Sequence, residues 1–246
     1  MNSTPLTTRD FAAVLEEYAD RFSLLTDLLI EENKIHNLTR ITDPTQILFR
    51  HILDSLIALK ILDFPAESGS GFTCVDIGSG AGFPVLPLAI VRPDWKFLSI
   101  EATGKKAAFQ QKACRALGLT HVQVLSARAE DLAHDRRYRQ RFDAVLARAV
   151  ANLSVLAELS LGFVKIGGRL IAWKGPDVAE ELRLALKTFD QMGAAEVKRV
   201  PYLLEGVNTE KISMSLIVAE KTRSVLDGLP RSFAQIKHRR LPDICI

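Results

Sequence analysis

The sequence predicts an α/β fold: a mostly parallel sheet of seven strands with helices on both faces, a C-terminal antiparallel hairpin strand, and an N-terminal helical extension. Three observations carry this. Short apolar runs alternate with helical patterns between residues 73 and 191, the pattern of repeated strand-helix units whose helices cover both faces of a parallel sheet. Beyond 191 the alternation stops. Two extended runs, 196–204 and 211–220, are joined by Glu205-Gly206-Val207-Asn208-Thr209-Glu210 with no helix between them, so they form a hairpin and one strand must run antiparallel. Before residue 65 only helical stripes occur.

The first stripe is Phe11, Val14, Leu15, Tyr18, Phe22, Leu25, Leu28 and Leu29, one amphipathic helix with Thr7 or Thr8 as its cap. Asp43-Pro44-Thr45-Gln46 announces a second helix, from 44 to about 60: Asp43 caps it, Pro44 suits the first helical position, and Gln46 can reach back. Residues 65–71, Pro-Ala-Glu-Ser-Gly-Ser-Gly, read as a linker. The chain thus divides into a helical extension packed on the core (1–65), a sheet domain (66–222) and a basic tail (223–246). Strands are expected at 73–77, 96–101, 121–126, 142–147 and 169–174. Helices are expected at 84–91, 104–117, 153–162 and 177–191, with Gly167-Gly168 breaking the chain ahead of the fifth strand.

With 246 residues, 48% of them hydrophobic, the chain can bury a sizeable core, which excludes general disorder. No segment has the order of a signal peptide or approaches the ~20 apolar residues of a membrane span, so a soluble, cytoplasmic protein is expected; a monomer is a separate expectation. Cys74, Cys114 and Cys245 lie far apart without C-x-x-C pairing. Neither a disulfide framework nor a metal site is supported, and buried or incidental thiols are expected. The net charge of +3 permits a polyanionic partner without requiring one. Two basic runs, 134–141 and 231–240, could touch phosphates or could be a solvated loop and a tail.

The stretch Cys74-Val75-Asp76-Ile77-Gly78-Ser79-Gly80-Ala81-Gly82-Phe83-Pro84 follows the first strand of the sheet domain. A glycine-rich turn there lets a ligand approach backbone and helix N-terminal amides. The dinucleotide fingerprint is G-x-G-x-x-G, but here Phe83 holds the last position and the spacing is G-x-G-x-G. Asp76 stands at the carboxyl end of the strand, where open α/β sheets bind ligands. A carboxylate suits the ammonium of S-adenosylmethionine and gives a pyrophosphate nothing. Glu101, ending the second strand in Ser99-Ile100-Glu101-Ala102, is placed for a ribose diol, and Ala129 with Glu130, after the third, for an adenine edge.

The acceptor is approached by elimination. Attack by an exocyclic amine needs carbonyl acceptors, often an Asn/Asp-Pro-Pro-aromatic turn after the fourth strand, where this chain has Leu146-Ala147-Arg148-Ala149-Val150-Ala151-Asn152. Attack from a pyrimidine C5 needs a cysteine nucleophile, and no cysteine is well placed. Ribose oxygen transfer wants a lysine and an acid, which Lys174 and Glu205 could supply, but Asp143 sits at the wrong end of the fourth strand. A nucleophile with a free lone pair, such as guanine N7, needs no general base. Alignment then supplies most of the rate, and Arg148 could order the methionine carboxylate or an RNA phosphate.

Several segments resemble the bacterial RsmG (GidB) 16S ribosomal RNA methyltransferases. They are Asn37-Leu38-Thr39, Arg50-His51-Ile52-Leu53-Asp54-Ser55-Leu56, the glycine turn from Val75 to Pro84, Glu101-Ala102-Thr103-Gly104-Lys105-Lys106, Arg148-Ala149 and Lys165-Ile166-Gly167-Gly168-Arg169. The helix motif around His51 is the specific part, because methyltransferases at large share the glycine turn. The resemblance implies a Rossmann-like class I methyltransferase that methylates N7 of a single guanine in the 530 loop of 16S rRNA, as naked RNA or in the 30S particle. S-adenosyl-L-methionine is the implied donor and S-adenosyl-L-homocysteine the product. Another RNA or a small molecule is the alternative acceptor. Matching positions assign the donor to Gly78, Phe83, Glu101, Ala102, Thr103, Ala129, Glu130 and Arg148; the reading of the turn itself adds Asp76, Gly80 and Gly82, and neither a catalytic base nor a metal is expected. Arg50, His51, Lys174 and Arg231 are candidates for RNA contact. His51, Asp54 and Ser55 share a helix face and either brace the helix against the donor site or make core polar contacts.

Overall fold

The computed structural model describes residues 6–62, 71–206, 210–238 and 241. Among them the strands β1 (Leu6–Thr7), β2 (Thr73–Ile77), β3 (Lys96–Glu101), β4 (Val122–Ser126), β5 (Phe142–Arg148), β6 (Val164–Lys174), β7 (Ala194–Glu205) and β8 (Lys211–Lys221) form one sheet. Their spatial order is β1-β7-β8-β6-β5-β2-β3-β4. Pairing is parallel except along β8, which runs antiparallel to both β6 and β7. The chain leaves β2 towards β3 and β4, then returns to the other side of β2 as β5. That reversal opens a crevice beyond the carboxyl ends of β2 and β5, where such sheets take ligands.

All seven expected strands form, and β1 is an eighth, pairing in parallel with β7 through Leu6 and Tyr202. Two residues are too few to show any periodicity. The fifth expected strand starts earlier, at Val164, because Gly167-Gly168 does not break it. A Cβ on Gly168 would lie 2.8 Å from the carbonyl oxygen of Asp143. Glycine therefore lets β6 pass close to β5 where the register shifts between Phe142 and Ala144.

The helices are α1 (Ala12–Glu17), α2 (Ala19–His36), α3 (Pro44–Ile47), α4 (Asp54–Leu56), α5 (Val85–Val91), α6 (Gly104–Leu117), α7 (Ala129–Leu132), α8 (Leu153–Leu161), α9 (Ala179–Gln191) and α10 (Phe233–His238). The first stripe is not one helix. A 3-10 turn over Thr8–Phe11, capped by Thr7, precedes α1, and Tyr18, with φ -108° and ψ 19°, separates α1 from α2. Hydrogen bonds continue across it, from Tyr18 N to Val14 O and from Phe22 N to Tyr18 O. The second helix runs without interruption from Pro44 to Lys60, but its middle, Leu48–Leu53, is π-helical. Asp43 caps it through Gln46 N at 2.8 Å. The Gln46 side chain does not reach back to the cap; it bonds Arg50 and Glu210 instead.

Apolar residues fill both faces of the sheet. On one face Phe22, Leu25 and Leu29 of α2 and Ile52 and Leu56 of the second helix share a core with Leu86 and Phe109. Each such side chain contributes roughly 1.5–3 kcal/mol of burial. Arg21 ties α2 to the sheet's own helices, donating to the carbonyls of Ile90 (3.2 Å) and Leu117 (2.8 Å) near the ends of α5 and α6, where helix carbonyls lack internal partners. Cys74 and Cys114 are buried free thiols. Cys245, the linker residues 65–70 and residues 239 and 240 of the tail lie outside the described residues.

Candidate functional site

The turn after β2 is held from below by a buried polar network. The Ser99 hydroxyl donates to Gln110 Oε1 (2.5 Å) and lies 2.7 Å from the Ser79 hydroxyl. Gln110 Nε2 donates in turn to Ser79 Oγ and to the carbonyl of Gly80, both at 2.8 Å. Gly78 and Ser79 also donate their N–H groups to Ile100 O. The sequence reading missed Ser79, Ser99 and Gln110. A signal was present, since Gln110 interrupts the apolar stripe of α6 between Ala107 and Ala113, both buried.

Gly78, Gly80 and Gly82 all adopt positive φ, +64°, +61° and +87°. A side chain on Gly78 would meet Val150, 3.1 Å away. At Gly80 nothing lies within 4 Å of where a Cβ would point, so the turn opens there onto free space that a ligand can approach. Glu101 closes the turn from the next strand: its carboxylate accepts from Gly80 N (2.8 Å) and Thr103 N (2.7 Å).

Asp76 is fully buried. Its Oδ2 accepts from Val85 N at 3.1 Å, while Oδ1 has no hydrogen-bond partner. Burial raises its pKa to about 7, opposed by the Val85 N–H. A buried carboxylate oxygen without a partner is costly, and a cationic ligand group would satisfy it. The open space above Gly80 and this orphaned oxygen fit a donor that carries an ammonium.

Phe83 ends the turn and meets the helical extension, its ring stacked on His51. The motif segments named in the sequence converge here. Asn37, in the left-handed conformation, ends α2 and turns Thr39 towards His51, whose Nε2 lies 2.9 Å from Thr39 Oγ1. Arg148, at the end of β5, donates to His51 Nδ1 (3.3 Å), to the carbonyl of Arg50 (3.2 Å) and to Asp54 Oδ2 (3.0 Å). Asp54 Oδ1 accepts from Tyr202 at 2.5 Å, and its carbonyl accepts from Trp173 at 3.0 Å. Burial, reinforced by the Arg148 charge, lowers the His51 pKa to about 4. The ring is thus a neutral imidazole at pH 7, accepting from Arg148 and donating to Thr39. Ser55 donates to His51 O at 2.5 Å.

The remaining candidates are scattered. Ala129 and Glu130 are buried at the start of α7 and line a cavity of about 110 Å³ with Gly78 and Ala102. Arg50 is on the surface, bonded to Glu210 and Gln46. Lys174 donates to Glu181 and to Ala151 O, in register with Ser215, whereas Glu205 pairs with Lys211 and also bonds Thr7. The two do not meet. Arg231 forks onto Glu158, whose side chain is 1% exposed. The basic run 134–141 turns partly inward: Arg139 donates to the carbonyls of Ala133, Val225, Leu226 and Leu229, and His134 bonds Pro230 O. Among the described residues no group of three or more His, Cys, Asp or Glu is arranged to hold a metal ion, and no helix is long and apolar enough to cross a membrane.

The fold is similar to that of precorrin-6y C5,15-methyltransferase from Geobacter metallireducens, with a TM-score of 0.51 and 15% identity over 68% of this chain and 87% of that one. Over 214 residues the chain is 36% identical to the ribosomal RNA small subunit methyltransferase G of Desulforamulus reducens, covering 85% of each. It is 41% identical to that of a Roseiflexus species, covering 80% of each. The family described as GidB, rRNA small subunit methyltransferase G, matches residues 19–211. The chain therefore belongs to the GidB family and is an S-adenosylmethionine-dependent methyltransferase of small-subunit ribosomal RNA.

Proposed function

We propose that the chain methylates N7 of a single guanine in the 530 loop of 16S rRNA. The observation that carries this reading is the arginine at the end of β5. Where an amine-directed enzyme would place carbonyl acceptors, this chain has Arg148, held by Asp54, His51 and the Arg50 carbonyl. Asp76, Glu101 and Asp54 all accept positioning bonds from backbone amides or neighbouring side chains. A guanine N7 lone pair needs no base, so a site that only aligns is sufficient.

When bound, S-adenosylmethionine supplies an electrophilic methyl group. Asp76 would hold its ammonium, Glu101 with Thr103 and Ala102 its ribose end, and Ala129 with Glu130 its adenine edge. The glycine turn would approach it through Gly78, Gly80 and Gly82, with Phe83 as a wall. Arg148 would order its carboxylate or an RNA phosphate, and Arg50, His51, Lys174 and Arg231 remain the candidates for the RNA side. Arg50 is the most accessible of these, whereas Arg231 acts through Glu158 on the fold.

The test is nucleoside mass spectrometry of 16S rRNA from strains with and without the gene. The reading expects one 7-methylguanosine to disappear on deletion and return on complementation. Loss of an N-methylated amine or a 2′-O-methylribose instead would overturn it.

A further inference from the structure

The segment after β8 is fastened to the sheet domain well beyond what a solvated tail requires. Arg139 donates to the carbonyls of Leu229 (2.6 Å), Leu226 (3.0 Å) and Val225 (3.2 Å). His134 Nε2 bonds Pro230 O at 2.8 Å, and Val225 and Leu229 are buried against the core. Arg231 forks onto Glu158 at 2.8 and 2.7 Å, a carboxylate taken almost wholly out of water. A buried, bidentate arginine pair fixes direction as well as position. What it directs is α10, whose first residue, Phe233, lines the same cavity as Gly78, Ala102, Ala129 and Glu130. Arg128 lies over the Phe233 ring, 5.6 Å from its centroid.

We infer that this C-terminal strap completes the donor site, with Phe233 as the outer wall of the adenine subsite. The inference rests on the reading that Ala129 and Glu130 receive the adenine edge. Those two residues begin α7, Ile100 lies near the end of β3, and all three line the cavity. The Phe233 ring, which lines the same cavity, offers an aromatic surface to a purine, and Arg128, which also lines the cavity and sits over the ring, limits the ring's motion. The two basic runs then have a common purpose: one anchors the strap, and the other carries the arginine that the strap needs to dock.

The test is titration calorimetry of the full chain with two probes, S-adenosylhomocysteine and 5′-methylthioadenosine, the second lacking the amino-acid end. Phe233→Ala should weaken both by the same factor, about tenfold, as expected for loss of one base-stacking ring. Phe233→Tyr should restore both. Ala102→Trp, at an exposed position on the mouth of the cavity, should block both. If Phe233→Ala leaves both affinities unchanged or tightens them while Ala102→Trp blocks binding, the adenine subsite stands and the strap proposal falls. If Ala102→Trp also leaves binding unchanged, the adenine reading itself fails, and the proposal with it. A merely structural role for Phe233 would lower thermal stability without changing the two affinities by a common factor.

Discussion

The imidazole of His51 stacks on the ring of Phe83, centroids 4.8 Å apart and planes 26° from parallel. The contact joins the helical extension to the last residue of the glycine turn before Pro84. The face shared by His51, Asp54 and Ser55 therefore braces a helix against that turn, and the same face holds Arg148. Phe83→Ala removes a side chain only 4% exposed and should destabilise the chain by about 3–5 kcal/mol, measured by urea unfolding. Phe83→Leu should recover most of the stability while leaving donor affinity reduced.

Asp54 and Arg148 form a buried pair, with side chains 6% and 14% exposed. Removing one partner of such a pair costs about 3–5 kcal/mol, whereas replacing both with apolar groups costs far less. Asp54→Leu and Arg148→Met should each destabilise strongly, and the double variant should be more stable than the sum of the two. Simple additivity in the unfolding data would show that the pair is not coupled. Methyl transfer should be lost in every variant lacking Arg148.

Asp76 titrates at about 7 in the folded chain, against 3.8 for a free carboxyl. Its raised value means that the folded state binds the proton more tightly, so this group contributes stability below pH 4 that is lost as pH rises through 7. Asp76→Asn should remove that component, making the variant comparatively more stable at pH 8 than at pH 5. For donor binding the expected sign is the opposite, since the proposed pairing of an ammonium needs the carboxylate: affinity for S-adenosylhomocysteine should rise between pH 6 and pH 8 in the wild type. The same affinity profile in Asp76→Asn would assign the titration to another group.

Gly80 separates fold from function. Its φ of +61° gives an alanine there a cost of about 1–2 kcal/mol, and no neighbour lies in the way. Gly80→Ala should therefore leave the chain folded, by circular dichroism, and lose donor binding by calorimetry. Retained affinity would mean that the ligand does not approach this glycine.

Arg50 is exposed and ion-paired only at the surface. Arg50→Ala should weaken binding to 16S rRNA and reduce the slope of log K against log salt by about 0.7–0.9, the share of one phosphate contact. An unchanged slope would remove Arg50 from the RNA interface.

The sequence showed what repeats locally: alternating strands and helices, a glycine turn, and acids at successive strand ends. It could not show pairings across long separations. His51 with Phe83, Arg148 with Asp54, and Tyr202 with Asp54 bring together residues from the extension, the turn, β5 and β7. The basic runs were ambiguous for a chemical reason, since an arginine that caps carbonyls, as Arg139 does, has the same composition as one that binds phosphate. Gln110 was legible in principle, as a polar residue on the buried stripe of α6.

Cleavage of 16S rRNA with borohydride and aniline, which break the chain at 7-methylguanosine, separates N7 methylation in the 530 loop from methylation at any other atom or site. RNA from cells lacking the gene, incubated as 30S particles with the purified chain and S-adenosylmethionine, should gain a single cleavage in the 530 loop. Methyl incorporation without cleavage would place the methyl on an atom other than N7, and cleavage elsewhere would place it outside the 530 loop.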